Sequence, residues 1–305
     1  YENPEEAVDM IVNCEPGKST EVFQKIYKEP VKLKLIAKRV EEIKKAKVPC
    51  AVSCIPQNAA EFGAIAKEAG ADIFVVQATV ITIKFESTRQ KTLDIAKFVK
   101  QMKIPVVVGN CVTYRVALEL IDTGVAGLLV GVGPGAACTT RGVIGIGVPQ
   151  VTATVDCAAA RDFHYKKTGK YVPVITDGGM HNGGDVCKSI ASGADAVMIG
   201  SPFAKASEAP GKGYHWGMAT PHANLPRGTR VHVGVTGSIE EILFGPARVD
   251  DGSQNLVGAL RTSMGALGCH NIREMQLAQI IIAPSIKSEG KLLQRAQVVG
   301  MGKTK

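Results

Sequence analysis

The chain has 305 residues, 45% of them apolar, 21% charged and only 5% aromatic, with 33 glycines. That length and apolar share exclude a disordered or fibrous chain and allow one large α/β domain or two ordinary ones. The formal charge is +8, yet Lys and Arg form no run of five or six. Their densest stretch, Lys38 to Lys47, is interleaved with Glu41 and Glu42, which argues against nucleic-acid binding and for a basic mouth facing an anionic substrate.

The chain opens at Tyr1 in charged, helix-like sequence with no initiating Met, and residues 1–46 read as helices. From there a pattern repeats three times. A proline followed by β-branched residues marks one kind of strand, at 48–53, 104–110 and 172–179. Proline is tolerated in a buried strand at its first residue, where no ladder N–H is lost. A glycine that stops a helix and leads into an apolar run marks the other kind, at 70–76, 124–130 and 193–200. Amphipathic helices are predicted between them, at 57–69, 113–123 and 184–192. An open Rossmann sheet can use six strands, but a regular β-α-β-α unit points to a (β/α)8 TIM barrel of four quarters. On this reading the first strand pair lies upstream of residue 1, and 1–305 is a single, N-terminally incomplete barrel domain. Residues 202–235, rich in Gly, Pro and His, are expected to form a mobile flap over the active-site face. A helix at about 254–268 and a polar tail close the chain.

The eight cysteines are scattered, with no CxxC and no paired histidines, so neither a zinc site nor a disulfide framework is indicated. The expectation is a reduced, cytoplasmic protein. No stretch of 18 apolar residues suggests a membrane span.

Barrel chemistry sits where strands exit at their C-terminal ends. The run 172–179 exits through Asp177-Gly178-Gly179 and the run 193–200 through Gly200-Ser201. Glycines in these two loops let backbone N–H groups reach a phosphate, and Asp177 suits a sugar hydroxyl. Between them, the run 124–130 exits through Gly131-Val132-Gly133-Pro134-Gly135-Ala136-Ala137-Cys138-Thr139-Thr140-Arg141. Gly131, Gly133 and Ala136 fit a GxGxxA dinucleotide pattern poorly, because no helix is expected at that turn and Asp156 ends no strand. A cysteine on an exposed glycine-rich loop facing a phosphate site can instead attack an electrophilic ring carbon. An aldolase or isomerase barrel would not call for this cysteine, and no Schiff-base lysine ends a strand.

In order and spacing, the cysteine loop, the Gly109-Asn110 strand exit, Asp177-Gly178-Gly179 with Gly183-Gly184-Asp185, and Met198-Ile199-Gly200-Ser201 resemble the IMP dehydrogenase/GMP reductase family over nearly the whole chain. Within it they look like the divergent branch without a CBS domain, labelled IMP dehydrogenase-related. The resemblance implies a purine nucleotide substrate (GMP or IMP), NADPH or NAD(H) as cofactor, and a homotetramer or octamer. It makes Cys138 the nucleophile, with the Thr140 hydroxyl beside it, and places Asn110 at the substrate. Asp177 would hold the ribose, Gly178, Gly179, Gly200 and Ser201 the phosphate, and Gly217, Met218 and Ala219 the base. Carbonyls of Gly133, Gly135 and Cys138 would hold a monovalent cation such as K+.

Three features favour NADPH-dependent reduction of GMP to IMP and ammonia. The cysteine loop has the reductase wording, no CBS pair interrupts the residues present, and the flap lacks the adjacent Arg-Tyr with which dehydrogenases activate water. Four positions depart from the reductase pattern. Ser53 to Gln57 and Gln77 stand where a Lys and an Asp are expected, Ala136 replaces a serine, and Arg227 occupies the place of the glutamate that partners the threonine. Glu240 or Glu241 is a candidate substitute for that glutamate, although the helical setting reads more as solvated surface charge. The alternatives are an IMP dehydrogenase and, given the replaced positions, a non-catalytic nucleotide-binding regulator.

Overall fold

The computed structural model describes residues 1–88, 92–217 and 229–282, together with 294, 296 and 297. Three helices come first, α1 (Pro4–Val12), α2 (Ser19–Tyr27) and α3 (Leu33–Lys45). Six strands follow: β1 (Ala51–Cys54), β2 (Ile73–Gln77), β3 (Val106–Cys111), β4 (Gly127–Val130), β5 (Val174–Asp177) and β6 (Ala196–Met198). They pair in parallel in sequence order, which makes a curled sheet, part of a (β/α)8 barrel. Helices α4 (Ala59–Glu68), α5 (Ile95–Met102), α6 (Tyr114–Ile121), α7 (Thr140–Ile144), α8 (Gln150–Thr168) and α9 (Gly183–Ala191) lie between the strands. Parallel neighbours need such crossovers, and covering both faces explains the near-continuous apolar runs. Central β4 is buried at every residue, while β1 at the sheet edge alternates exposed and half-buried positions.

The two kinds of strand predicted from sequence are both present, with their starts trimmed. Pro49, Pro105 and Pro173 all precede the strands rather than begin them, although the carbonyls of Pro105 and Pro173 already accept from Phe74 and Leu128 of the neighbouring strands. At the other strand type, Gly70, Gly124 and Gly193 adopt φ of +98°, +89° and +101°, the left-handed stop the sequence implies. The aspartates of the two Gly-Ala-Asp repeats have one task. Asp72 accepts from Cys50 N–H (2.6 Å) and the Lys44 ammonium, while Asp195 accepts from Val174 N–H (2.8 Å) and the Arg161 guanidinium. Each ties one strand's entry to the start of its neighbour.

The principal core lies between the sheet and the helices that cover it, with Phe74, Val76, Val106, Val108, Leu120 and Leu128 wholly or almost wholly buried. After β6 come α10 (Ser201–Ala204) and an antiparallel ribbon of β7 (Tyr214–Trp216) and β8 (Arg230–His232). The segment expected to be a flap, 202–235, contains this hairpin, and 218–228 between its strands lie outside the described residues. Helices α11 (Ile239–Phe244), α12 (Leu256–Ala266) and α13 (Ile272–Met275) complete the order. Among the described residues no helix is long and apolar enough to cross a membrane.

Candidate active site

Polar groups gather where the strands end. Gln77 closes β2, Asn110 lies near the end of β3 and Asp177 closes β5. Asp177 Oδ2 accepts from Asn110 Nδ2 at 2.7 Å and from Gln77 Nε2 at 3.1 Å. Burial pushes the Asp177 carboxyl above its ordinary range, and the two amide hydrogen bonds act in the opposite direction. Among the described residues its second oxygen, Oδ1, accepts no hydrogen bond, which suits it to a ligand hydroxyl.

The cysteine loop leaves β4 at Gly131 and is pressed against the end of β5. Gly131 has φ +145°, and a Cβ there would stand 2.2 Å from the Asp177 carbonyl oxygen and 2.8 Å from Gln150 Oε1. Only glycine passes through that gap. Further on, the Pro134 ring lies over Gly178 and Gly179, where added Cβ atoms would meet it at 3.0 and 3.2 Å. The loop and the Asp-Gly-Gly turn are thus in contact, as their positions in the sequence imply.

At the tip, Cys138 is exposed, and its Sγ lies 3.1 Å from Oγ1 of Thr140, a buried residue that starts α7. Arg141 holds the loop closed. Its Nε donates to Val132 O at 3.1 Å and its Nη2 to Val148 O at 2.7 Å, so one guanidinium joins both ends. The Arg141 stem occupies the space beside Gly133 and Gly147, where a Cβ would come within 2.5 Å of it. At the end of β7, a Cβ on Gly217 would stand 3.1 Å from the Ala137 carbonyl, so the hairpin reaches the cysteine loop. Met218, Ala219 and Arg227 lie outside the described residues.

The expected phosphate loops are adjacent but not equivalent. Gly178 N–H already donates to the Met198 carbonyl at 3.3 Å, so an anion at that turn would have to use other N–H groups. Gly200 faces open space, and Ser201 Oγ lies 3.0 Å from Nε2 of His215 on β7. Burial lowers the His215 pKa, which favours a neutral ring.

Glu240 and Glu241 are both on α11, as expected, but only Glu240 is a solvated surface charge. Glu241 closes the capping box with Ser238 and pairs with Arg248 at 2.7 Å. That commitment removes it as a partner for Thr140, whose hydroxyl among the described residues meets Cys138.

Gly133, Gly135 and Cys138, the residues expected to hold a monovalent cation, lie on the same loop, and carbonyl oxygens are the hard ligands such an ion takes. The Gly135 carbonyl also accepts from Cys138 N–H at 3.1 Å. Among the described residues no group of three His, Cys, Asp or Glu could hold a metal ion.

Sequence reasoning assigned no role to Arg141, Gln150 or His215, and named Gln77 only as a departure. Arg141 was visible inside the cysteine-loop run, and Gln77 ends an apolar strand where a polar residue stands out. For Gln150, whose Nε2 holds Val130 O at 2.7 Å, and for His215 the sequence carries no local signal.

A protein-family model described as IMP dehydrogenase / GMP reductase domain matches residues 10–290. An uncharacterized oxidoreductase of Mycolicibacterium smegmatis is 40% identical over 266 residues, covering 86% of this chain and 71% of that protein. An inosine-5'-monophosphate dehydrogenase of Thermoplasma acidophilum is 37% identical, covering 69% of this chain and 44% of that enzyme. A GMP reductase of Leishmania donovani is also 37% identical, with coverage of 68% and 44%. The crystal structure of an IMP dehydrogenase/GMP reductase-like protein from Corynebacterium glutamicum superposes with a TM-score of 0.85 at 33% identity, covering 92% of this chain and 74% of that one.

Proposed function

The chain belongs to the IMP dehydrogenase/GMP reductase family of purine nucleotide oxidoreductases, and we propose that its own reaction is the NADPH-dependent reductive deamination of GMP to IMP and ammonia. One observation carries the chemistry. Of the eight cysteines, Cys138 is the exposed one, on a loop packed against Gly178-Gly179 and with a hydroxyl 3.1 Å from its sulfur.

In this reading the Asp177 carboxylate, oriented by Asn110 and Gln77, holds the ribose, and the loops of Gly179, Gly200 and Ser201 hold the phosphate. The purine C2 then comes to Cys138. The Sγ–C2 bond forms, the exocyclic C2–N bond breaks, and the amine takes up a proton and leaves as ammonia. Thr140, fixed in the first turn of α7, is placed to hydrogen-bond that leaving group or the thiol. A hydride then reaches C2, the C2–S bond breaks, and IMP departs from a regenerated thiolate. That hydride is what a nicotinamide cofactor supplies when bound. Gly135, on the same loop as Cys138, has open space where a side chain would stand, which would leave room for such a cofactor.

The reductive direction is supported by the Gly-Pro-Gly…Cys-Thr-Thr-Arg wording of the loop and by the lack of an adjacent Arg-Tyr in 202–235. Without a base to activate water, hydrolysis of the covalent intermediate is slow. A homotetramer or octamer belongs to the same reading and is checked by sedimentation. The deciding assay mixes the protein with GMP and NADPH and follows absorbance at 340 nm, expecting oxidation and ammonia in equal amounts. No oxidation, together with NADH formation from IMP and NAD, assigns the dehydrogenase reaction instead. Nucleotide binding without turnover in either direction assigns a regulator.

A further inference from the structure

Side chains alternate along β7, so Tyr214 and Trp216 turn one way and His215 the other. The first face is held from behind by the N-terminal helices. Trp216 stacks with its ring 5.9 Å from that of Phe23 on α2, and Tyr214 lies 4.6 Å under the Arg230 guanidinium. Arg230 in turn donates to the carbonyls of Ile11, Val12 and Cys14 at the end of α1, at 2.7, 2.6 and 3.0 Å, and Lys212 pairs with Asp9 at 2.8 Å. With the ribbon anchored on that side, the His215 ring is presented to the strand exits, where its Nε2 sits 3.0 Å from Ser201 Oγ.

The serine follows Gly200, whose missing side chain leaves open space. A hydroxyl has one proton to give. If that proton goes to an unprotonated Nε2, the serine can offer an anion nothing. If Nε2 carries the ring proton and donates to Oγ, the serine proton is free to point into the open space, and the two hydrogen bonds in series strengthen each other.

Resting on the nucleotide reading above, we propose that His215 is a positioning residue for the nucleotide 5'-phosphate, its Nε2–H holding Ser201 Oγ so that the serine hydroxyl donates to the phosphate. The phosphate then grips the hairpin as well as the strand-exit loop, and a nucleoside lacking that group engages neither link. Discrimination between nucleotide and nucleoside thereby depends on a side chain of the flap ribbon.

Calorimetric titration of the full chain with GMP and with guanosine tests this. His215→Phe, which keeps a planar ring and loses the donor, should weaken GMP binding about tenfold and leave guanosine binding unchanged. His215→Gln, which restores an Nε2 donor, should bind GMP within about threefold of wild type. In a Ser201→Ala background, His215→Phe should add nothing further. GMP affinity unaltered by His215→Phe, an equal loss for guanosine, or no recovery with Gln overturns the inference alone. A wild-type protein that binds neither GMP nor IMP overturns it together with the reading it rests on. Should the Phe variant not fold, 15N spectra of the wild-type imidazole decide: GMP should place the ring proton on Nε2, and a proton remaining on Nδ1 with GMP bound overturns the assignment.

Discussion

Replacing Arg141 by Met keeps an unbranched stem between Gly133 and Gly147 and deletes the guanidinium that closes the cysteine loop. Two hydrogen bonds are lost, Nε to Val132 O at 3.1 Å and Nη2 to Val148 O at 2.7 Å. A charged donor is worth roughly 1.5–3 kcal/mol where desolvated, and the exposed setting of Arg141 lowers each bond to about 1 kcal/mol. The closed loop therefore loses about 2 kcal/mol, an increase of about thirtyfold in the fraction of time it stands open. Hydrogen exchange of the amides in 132–148 should accelerate by that factor, and turnover should fall because the loop that carries Cys138 is no longer held with Pro134 against Gly178-Gly179. Taken as a global loss, the same 2 kcal/mol would lower Tm by only about 3 °C, since a chain of this length unfolds with an entropy near 0.6 kcal/mol per degree. Arg141→Lys, able to reach one carbonyl but not bridge both, should fall between. Exchange in 132–148 that stays within about twofold of wild type would refute the stapling argument, whatever happens to Tm.

Cys138→Ala should abolish turnover while GMP still binds, as titration calorimetry would show; an active variant eliminates the covalent route. Asp177→Asn should stabilise the fold at pH 7 and lose ribose recognition. Because burial raises the Asp177 pKa in the folded state, ionising it costs stability as pH rises above about 3.9, and the amide removes that penalty while still accepting from Asn110 and Gln77. Urea midpoints should show the variant's advantage at pH 7 fading as pH falls toward 4, and a variant less stable than wild type at pH 7 contradicts the burial argument. Asp195→Asn should cost about 2 kcal/mol, less than the roughly 3–5 kcal/mol of a fully uncompensated buried charge, because it removes the more buried of the two carboxylates that pair with Arg161, which is 2% exposed, and leaves Asp162 at 2.9 Å. For Asp195 burial raises the carboxyl pKa, but hydrogen bonds from Tyr171, Val174 N–H and Gln276 and the Arg161 charge outweigh it and hold the carboxyl below its ordinary range. Its stabilisation is thus present above about pH 4 and lost as pH falls further, and the gap between wild type and variant should close in acid.

Much of the barrel was legible in the chain because its signals are local. A glycine that must stop a helix at positive φ and an apolar run that must be covered on both faces are properties of a few consecutive residues, and Gly70, Gly124 and Gly193 behave as that pattern requires. Cys138 and Thr140 were legible for the same reason, being two residues apart on one loop. The partners of these residues are not local. Asp177 meets Asn110 across 67 positions and Gln77 across 100, and His215 meets Ser201 only because Arg230 and Trp216 fasten the ribbon to α1 and α2, which lie some 200 residues earlier. Glu241 shows the converse, since a charge on a short helix reads as solvated until Ser238 and Arg248 are seen to engage it. Sequence determined which strand exits carry the candidate site groups, through turn chemistry and periodicity. Only the curling of the sheet decided which of those groups touch, because contact between exits depends on strand order and register in three dimensions rather than on spacing along the chain.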